Sequence, residues 1–315
     1  MPFLVEKNSG AISEVVLGGG TRKSTITIGG ENSLPFQTYE GAHPHRAAMA
    51  VEIWDINPEW PESLKAAWGP VMASPVEWAK KAVEFGAEMI YLKLRSINPD
   101  EGGRSIDDCV KTVKDVLDAV SVPLGVAGCG IDEYDKPLIQ AVGEAFPNEN
   151  LLLGLATLEN YATFAATALA NGHSVLTSSP LDINLCKQLH ILLTEMNVPL
   201  NRLVMDPSIG GLGYGLEYSY SILERGRIGS LQGDKMLSVP VLGFIGQESW
   251  KAKESYAETD DFPKWGVKED RGILWEVITA TALLQSGVSL LVMRHPEAMK
   301  TVREHVEQLM GAVSA

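Results

Sequence analysis

The chain has 315 residues, 45% of them hydrophobic and 21% charged, with a net charge of -14. That length fits one large domain or two ordinary ones with a sizeable core. The acidic balance, with no basic stripe, argues against nucleic acid and against an anionic membrane surface. No apolar run reaches the length that spans a bilayer. Met1 to Lys7 lead into no long apolar region, so no secretory leader is expected and the expected location is cytoplasmic.

Residues 1–12 show no period. Segments 13–18 and 24–29 read as two short strands joined by Gly18-Gly19-Gly20-Thr21-Arg22-Lys23, with Thr25, Ile26, Thr27 and Ile28 alternating as in a half-buried strand. This hairpin precedes the main fold and either plugs a barrel end or meets a partner. From residue 48 a regular rhythm begins. Strands are predicted at 49–55, 88–95, 123–129, 151–157, 174–178, 203–206, 239–245 and 289–294. Helices are predicted at 75–85, 106–120, 134–146, 160–170, 183–196, 216–225, 272–285 and 296–310. Ser74, Ser105 and Asp182 stand at N-cap positions, Gly86, Gly172 and Gly287 at helix ends, and Pro296 in a first turn.

About eight β-then-α units, roughly 30 residues apart, predict an α/β fold, a closed (β/α)₈ TIM barrel with an N-terminal β-hairpin extension. The extension is placed at 1–47 and the barrel at 48–315, with a long loop insertion at 246–270. An open doubly wound sheet lacks its Gly-x-Gly-x-x-Gly after the first strand. The insertion carries Trp250, Tyr256, Phe262 and Trp265 among Lys, Glu and Asp. It reads as a lid or interaction surface, or as a loop folded back on its own barrel.

Ligands of such barrels bind where the strands end. The organising stretch is Met205-Asp206-Pro207-Ser208-Ile209-Gly210-Gly211-Leu212-Gly213-Tyr214-Gly215, an apolar run that ends in an acid and a glycine-rich loop. Its glycines let backbone approach a large ligand closely, or they make a tight strand-to-helix turn with Asp206 as a cap. The other mouth candidates are Glu52, Asp55, Lys93, Arg95, Ser96, Gly128, Cys129, Thr157, Ser178, Ser179, Gly243, Arg294 and His295. Strand alternation turns Val51 and Ile53 outward and Glu52, Lys93 and Arg95 inward, which predicts a buried Glu52–Lys93 pair. Lys93 then serves either as that ion pair or as a Schiff-base lysine, and His295 either in acid–base chemistry or as a cap. His43 and His45 lack a nearby third metal ligand. No nucleophile–base motif stands out. The three cysteines, Cys109, Cys129 and Cys186, are too few and too dispersed for an iron–sulfur cluster or a disulfide framework. Cys129, at the mouth, is the one to watch. Small residues and backbone amides around the mouth suit a large flat ligand.

Several stretches carry a family likeness: Leu34-Pro35-Phe36 with Tyr39-Glu40-Gly41, Trp78-Ala79-Lys80, and Asp182-Ile183-Asn184-Leu185-Cys186-Lys187-Gln188-Leu189. Asp206-Pro207 with Leu212-Gly213-Tyr214-Gly215-Leu216-Glu217-Tyr218-Ser219-Tyr220-Ser221, Arg271-Gly272-Ile273-Leu274-Trp275-Glu276 and Arg294-His295-Pro296-Glu297 extend it. On these residues the chain resembles the small subunit of the corrinoid/iron–sulfur protein of the anaerobic acetyl-CoA pathway of carbon fixation. This is the delta-subunit family of acetyl-CoA decarbonylase/synthase complexes. The resemblance implies a barrel in a heterodimer with a large corrinoid/iron–sulfur subunit. It implies a methyl carrier that is not an enzyme by itself, meeting a methyltransferase and acetyl-CoA synthase transiently. It also implies a cobamide (cobalt corrinoid) held mainly by the large subunit, its upper face covered by this barrel. The absence of an Asp-x-His-x-x-Gly motif fits that division. Asp206, Ser208, Gly210, Tyr214, Gly128, Thr157 and Ser178 are then the expected corrin-facing positions, with no catalytic residue and no metal ligand. The alternative is a self-sufficient pterin-dependent methyltransferase on the same barrel, with Asp206 and Asn184 gripping the pterin.

Overall fold

The computed structural model describes residue 5 and residues 7–313. The expectation of no leader at Met1 to Lys7 therefore rests on residues that lie mostly outside the described ones. Strands β1 (Val15–Leu17) and β2 (Ile26–Ile28) pair antiparallel, Val15 opposite Ile28 and Leu17 opposite Ile26. Eight further strands close into a barrel: β3 (Ala48–Trp54), β4 (Met89–Lys93), β5 (Leu124–Ala127), β6 (Leu152–Ala156), β7 (Ser174–Ser178), β8 (Leu203–Asp206), β9 (Val241–Gly243) and β10 (Val288–Met293). They are parallel and follow chain order, with β10 pairing back onto β3. The helices are α1 (Glu62–Trp68), α2 (Pro75–Glu84), α3 (Ile106–Ala119), α4 (Asp132–Ala145), α5 (Tyr161–Asn171), α6 (Ile183–Glu195), α7 (Leu216–Leu231), α8 (Ile245–Lys251), α9 (Lys253–Tyr256), α10 (Lys268–Gln285) and α11 (Pro296–Val313). Among the described residues, no helix is long and apolar enough to cross a membrane.

Strand alternation builds two cores. Met49, Val51 and Ile53 face the helices, as expected, while Ala48 and Ala50 face the barrel axis with Met89, Tyr91, Leu152, Leu176, Val204, Leu242 and Leu290. Val15, Leu17, Ile26 and Ile28 belong to that inner core. The hairpin is tied by backbone hydrogen bonds from Ser13 to Ser238, from Gly18 to Asn150 and from Lys23 to Ser121, all just before barrel strands. It plugs the end where the strands begin, and each buried aliphatic side chain contributes ~1.5–3 kcal/mol. The opposite end stays open as a mouth.

The caps fall where serine and aspartate stand in the sequence: Ser74, Ser105 and Asp182 accept from amides of the first turns of α2, α3 and α6. Two segments depart from expectation. Before α2 lies an additional helix, α1, where Trp60, Trp68 and Trp78 pack edge to face at 5.3 and 5.9 Å. The 246–270 segment is not a long loop: it holds α8 and α9, and α10 begins at Lys268. Trp250 of α8 is buried, stacks on His295 and donates its indole N–H to Glu276 at 2.6 Å. The backbone N–H groups of Arg294 and His295 donate to the same carboxylate at 2.6 and 3.1 Å, which locks α8 over the mouth.

Gly246 is the closest point of this roof: a Cβ there would lie 2.6 Å from the Arg294 backbone nitrogen. Gly246→Ala is therefore expected to cost ~1–3 kcal/mol in urea denaturation by overpacking against immovable backbone.

Candidate ligand site at the barrel mouth

The strand ends enclose a cavity of two lobes, about 300 Å³ and about 230 Å³, that share Lys93, Leu155 and Gln247. The larger lobe is lined by Asp206, Ser178, Ser208, Ile209, Phe244, Glu248 and Lys251 besides those three. Asp206 ends β8 and Lys93 ends β4, four strands apart whichever way the barrel is followed. An acid and a cation thus face each other across the mouth, between apolar walls supplied by Leu155, Ile209 and Phe244.

Asp206 is buried, and burial pushes its carboxyl up to about 7 against the Ser208 amide, the Ser178 hydroxyl and the Lys93 charge. The Ser208 N–H donates to Oδ1 at 2.9 Å and the Ser178 hydroxyl to Oδ2 at 3.4 Å. Ser208 itself sits at φ 55°, a left-handed conformation that a side chain adopts only when its surroundings enforce it. The Asp206 turn is therefore built to hold a poorly solvated carboxyl at the foot of the lobe.

Opposite it, Lys93 Nζ stands 3.3 Å from Glu52 Oε1, the predicted pair, and donates to Gln247 Oε1 at 2.5 Å. Glu52 Oε1 also accepts from Arg294 at 2.7 Å and from the Trp54 indole at 2.6 Å. Burial alone would raise the Glu52 carboxyl; Arg294 and Lys93 outweigh it and pull it down to about 2. For Lys93, burial outweighs Glu52 and lowers the ammonium pKa.

In the smaller lobe, Asp135 from the first turn of α4 accepts from the amides of Cys129 and Gly130, both at 2.8 Å, and its carboxyl is raised by burial. The Cys129 thiol lies 3.4 Å from the same carboxyl. Burial and that charge push the thiol up to about 11, which holds Cys129 as the neutral thiol at neutral pH. Asn160 accepts from the Thr157 amide and donates to Asp132, each at 2.8 Å, fixing the loop after β6.

Of the expected positions, Asp206, Ser208 and Ser178 line the larger lobe and Gly128 and Thr157 the smaller. Gly210 and Tyr214 line neither. The Gly210 amide donates to Ser219 at 2.6 Å, a Cβ there would lie 2.5 Å from the Tyr214 carbonyl, and the exposed Tyr214 hydroxyl donates to Glu254 at 3.0 Å. The glycine-rich loop is folded tightly on itself, not opened for a ligand. Arg95 lines the smaller lobe, as expected, but from a 3₁₀ turn that follows β4; it pairs with Glu101 and donates to the Cys129 carbonyl at 2.8 Å. Asp55 is held by Ser96. His295 is a cap: Nδ1 accepts from the Glu297 amide at 3.1 Å, and burial pulls its pKa down to about 4. Asn184 is exposed on α6 and lines neither lobe. Asp135, Asn160, Gln247, Glu248 and Lys251 were not anticipated. Their one sequence signal is a polar residue within a turn or two of a strand end, which any surface helix shares.

A family described as CO dehydrogenase/acetyl-CoA synthase delta subunit matches residues 14–311. The chain is 37% identical to the acetyl-CoA decarbonylase/synthase complex subunit delta of Archaeoglobus fulgidus, over 98% of this chain and 71% of that protein. It is 34% identical to the Methanocaldococcus jannaschii subunit delta, over 95% and 74%. Among solved structures the barrel is similar to Yersinia pestis dihydropteroate synthase in a sulfonamide drug complex, with TM-score 0.59 at 14% identity over 86% of this chain and 97% of that one. It is also similar to the Coxiella burnetii dihydropteroate synthase bound to pteroic acid, with TM-score 0.55 at 14% identity over 89% and 98%.

The expectation of a cobamide shared at this mouth is corrected by these findings. The solved barrels named above are dihydropteroate synthases, and the Coxiella burnetii one holds pteroic acid. Among the described residues no group of three or more His, Cys, Asp or Glu is placed to hold a metal ion. The Lys93–Gln247 hydrogen bond also divides the mouth into two small lobes where one broad face was expected. With the family matched over residues 14–311 and relatives matched along nearly the whole chain, the protein belongs to the CO dehydrogenase/acetyl-CoA synthase delta subunit family.

Proposed function

We propose that this chain is the pterin-binding, methyl-transferring barrel of an acetyl-CoA decarbonylase/synthase-type complex, with a methyl-tetrahydropterin as substrate in the Asp206 lobe. The observation that carries it is Asp206, a buried carboxyl at the foot of an apolar-walled lobe. The N3–H and 2-amino groups of a pterin form one edge with two parallel donors, which a carboxylate accepts bidentately. Leu155, Ile209 and Phe244 would cover the ring faces, and about 300 Å³ lies at the small end of the range for small-molecule sites. The fold likeness to dihydropteroate synthases supports the reading. The smaller lobe, beyond Lys93 and Leu155, has room for the substituent at C6. In this reading the methyl acceptor is brought to the mouth by a partner subunit of the complex, in the cytoplasm.

The test is calorimetric titration of the isolated chain with 5-methyltetrahydrofolate. One site with Kd of about 10 μM or tighter, on the order of -7 kcal/mol, is the expected result. No binding of 5-methyltetrahydrofolate or tetrahydrofolate at millimolar concentration would overturn the proposal.

A further inference from the structure

We infer that Gln247 is the gate of the site: its hydrogen bond with Lys93 separates the two lobes and is broken by a pterin that carries a long substituent at C6. The inference rests on the pterin reading and goes beyond it, to the size of pterin that is taken. Lys93, Leu155 and Gln247 line both lobes. Lys93 comes from β4 and Gln247 from α8, and Nζ donates to Oε1 at 2.5 Å, so the bond crosses the mouth between the lobes. The lobes, about 300 Å³ and about 230 Å³, each stand at or below the small end of the roughly 300–1,000 Å³ that holds drug-sized ligands, and the two joined fall inside it. A bare pterin ring on Asp206 leaves the bond intact. A ring on Asp206 with its substituent in the smaller lobe has to pass between Lys93 and Gln247.

Both halves of the gate keep a partner when they part. Gln247 Nε2 donates to Glu248 Oε1 at 2.8 Å, and Lys251 donates to the same oxygen at 2.7 Å. Lys93 keeps Glu52 at 3.3 Å and the Phe244 ring, whose centroid lies 4.7 Å from Nζ. The helix behind the gate stays where it is. Glu276 ties α8 to the end of β10 through the Trp250 indole and through the amides of Arg294 and His295. Opening therefore takes a rotation of side chains and the loss of one hydrogen bond from a charged donor, which is worth roughly 10-fold in affinity.

The probes are 6-methyltetrahydropterin and tetrahydrofolate, which share the ring and differ in the substituent at C6. The full-length chain, Gln247→Met, Lys93→Met and the double variant are titrated with both under anaerobic conditions, and thermal unfolding checks that each variant is folded. Methionine keeps the length of glutamine and offers only a weak acceptor. In Gln247→Met, tetrahydrofolate is expected to tighten by roughly 10-fold relative to 6-methyltetrahydropterin, because the bond no longer has to be broken. The ratio isolates the substituent, since contacts to the shared ring cancel. With Lys93→Met already present, Gln247→Met is expected to change that ratio by less than about 2-fold, the signature of two residues acting through one contact. A ratio that stays at its native value or falls in Gln247→Met overturns the inference and leaves the pterin reading standing. So does an equal gain with and without Lys93. Native chain and variants that bind neither ligand bring down the pterin reading itself.

Discussion

Asp206→Asn is expected to be more stable than the native chain at pH 8 and, under the proposed function, to bind 5-methyltetrahydrofolate more weakly. The Asp206 carboxyl is 4% exposed, and burial raises it from 3.8 to about 7. Its folded pKa thus lies above the unfolded one. Below pH 3.8 both states hold the proton and the group has no effect. Between there and pH 7 the unfolded chain ionises first, so folded stability falls as pH rises. Above that the loss is complete, on the order of 2–4 kcal/mol. The amide in the variant still accepts from the Ser208 N–H and never ionises. Urea midpoints at pH 5 and pH 8 are the measurement: the variant's advantage should widen with pH. A variant less stable than the native chain at pH 8 would mean that Ser178, Ser208 and Lys93 compensate the carboxylate fully. Binding moves the other way. An amide meets one of the two pterin donors with a donor of its own, and affinity for 5-methyltetrahydrofolate should fall about 100-fold. Stability given up at a working group is the common trade at functional sites.

The native pH profile masks this effect. Glu276, also raised by burial to about 7, acts in the same direction as Asp206. His190 and His295 are lowered by burial to about 4, so the unfolded chain binds their protons first and stability rises with pH up to 6.5. The opposing pairs largely cancel between pH 4.5 and pH 6.5, and a flat native profile there is consistent with a strongly sloped Asp206→Asn difference.

The barrel was legible in the sequence because each strand is a short apolar run punctuated by Gly, Pro or a capping residue, and because its alternation decides which side chains see the axis. Glu52 and Lys93 followed from counting by twos along β3 and β4. Counting does not give partners where regular backbone stops: Arg95 reaches the smaller lobe from a 3₁₀ turn past the strand and is tied to Glu101. Helix α8 was hidden because Gly246-Gln247-Glu248 looks polar and breakable, yet Trp250, Glu276 and His295 hold it from three sides. Glycines misled most. Those after Asp206 suggested room for a large ring, but Gly210 packs on the loop's own backbone and Gly211 on α8, while Gly213 and Gly215 serve the turn with positive φ. A sequence shows that a Cβ is missing; only the fold shows what occupies the space.

Glu52→Gln is expected to destabilise the chain by ~3–5 kcal/mol, the cost of stripping a buried carboxylate from its cations. Glu52 is fully buried and serves Arg294, Lys93 and the Trp54 indole through one oxygen. Its pKa is depressed, so its contribution is present above pH 4.5 and is lost as pH falls through about 2. The two cations will not share the damage equally. Lys93, already lowered by burial, can shed its proton when Glu52 is gone. Arg294 cannot, and it stays charged between the rings of Trp60, 4.4 Å away, and Trp54, 5.9 Å away. Glu52→Gln with Arg294→Met should therefore recover most of the loss in urea denaturation at neutral pH, and Glu52→Gln with Lys93→Met little of it. Equal recovery by the two double variants would mean that Lys93 is as firmly charged as Arg294. Either way the pair beneath the mouth fixes where the lysine stands. A barrel that lost Glu52 but stayed folded would be left with Asp206 facing a lysine held by Gln247 alone across the lobe.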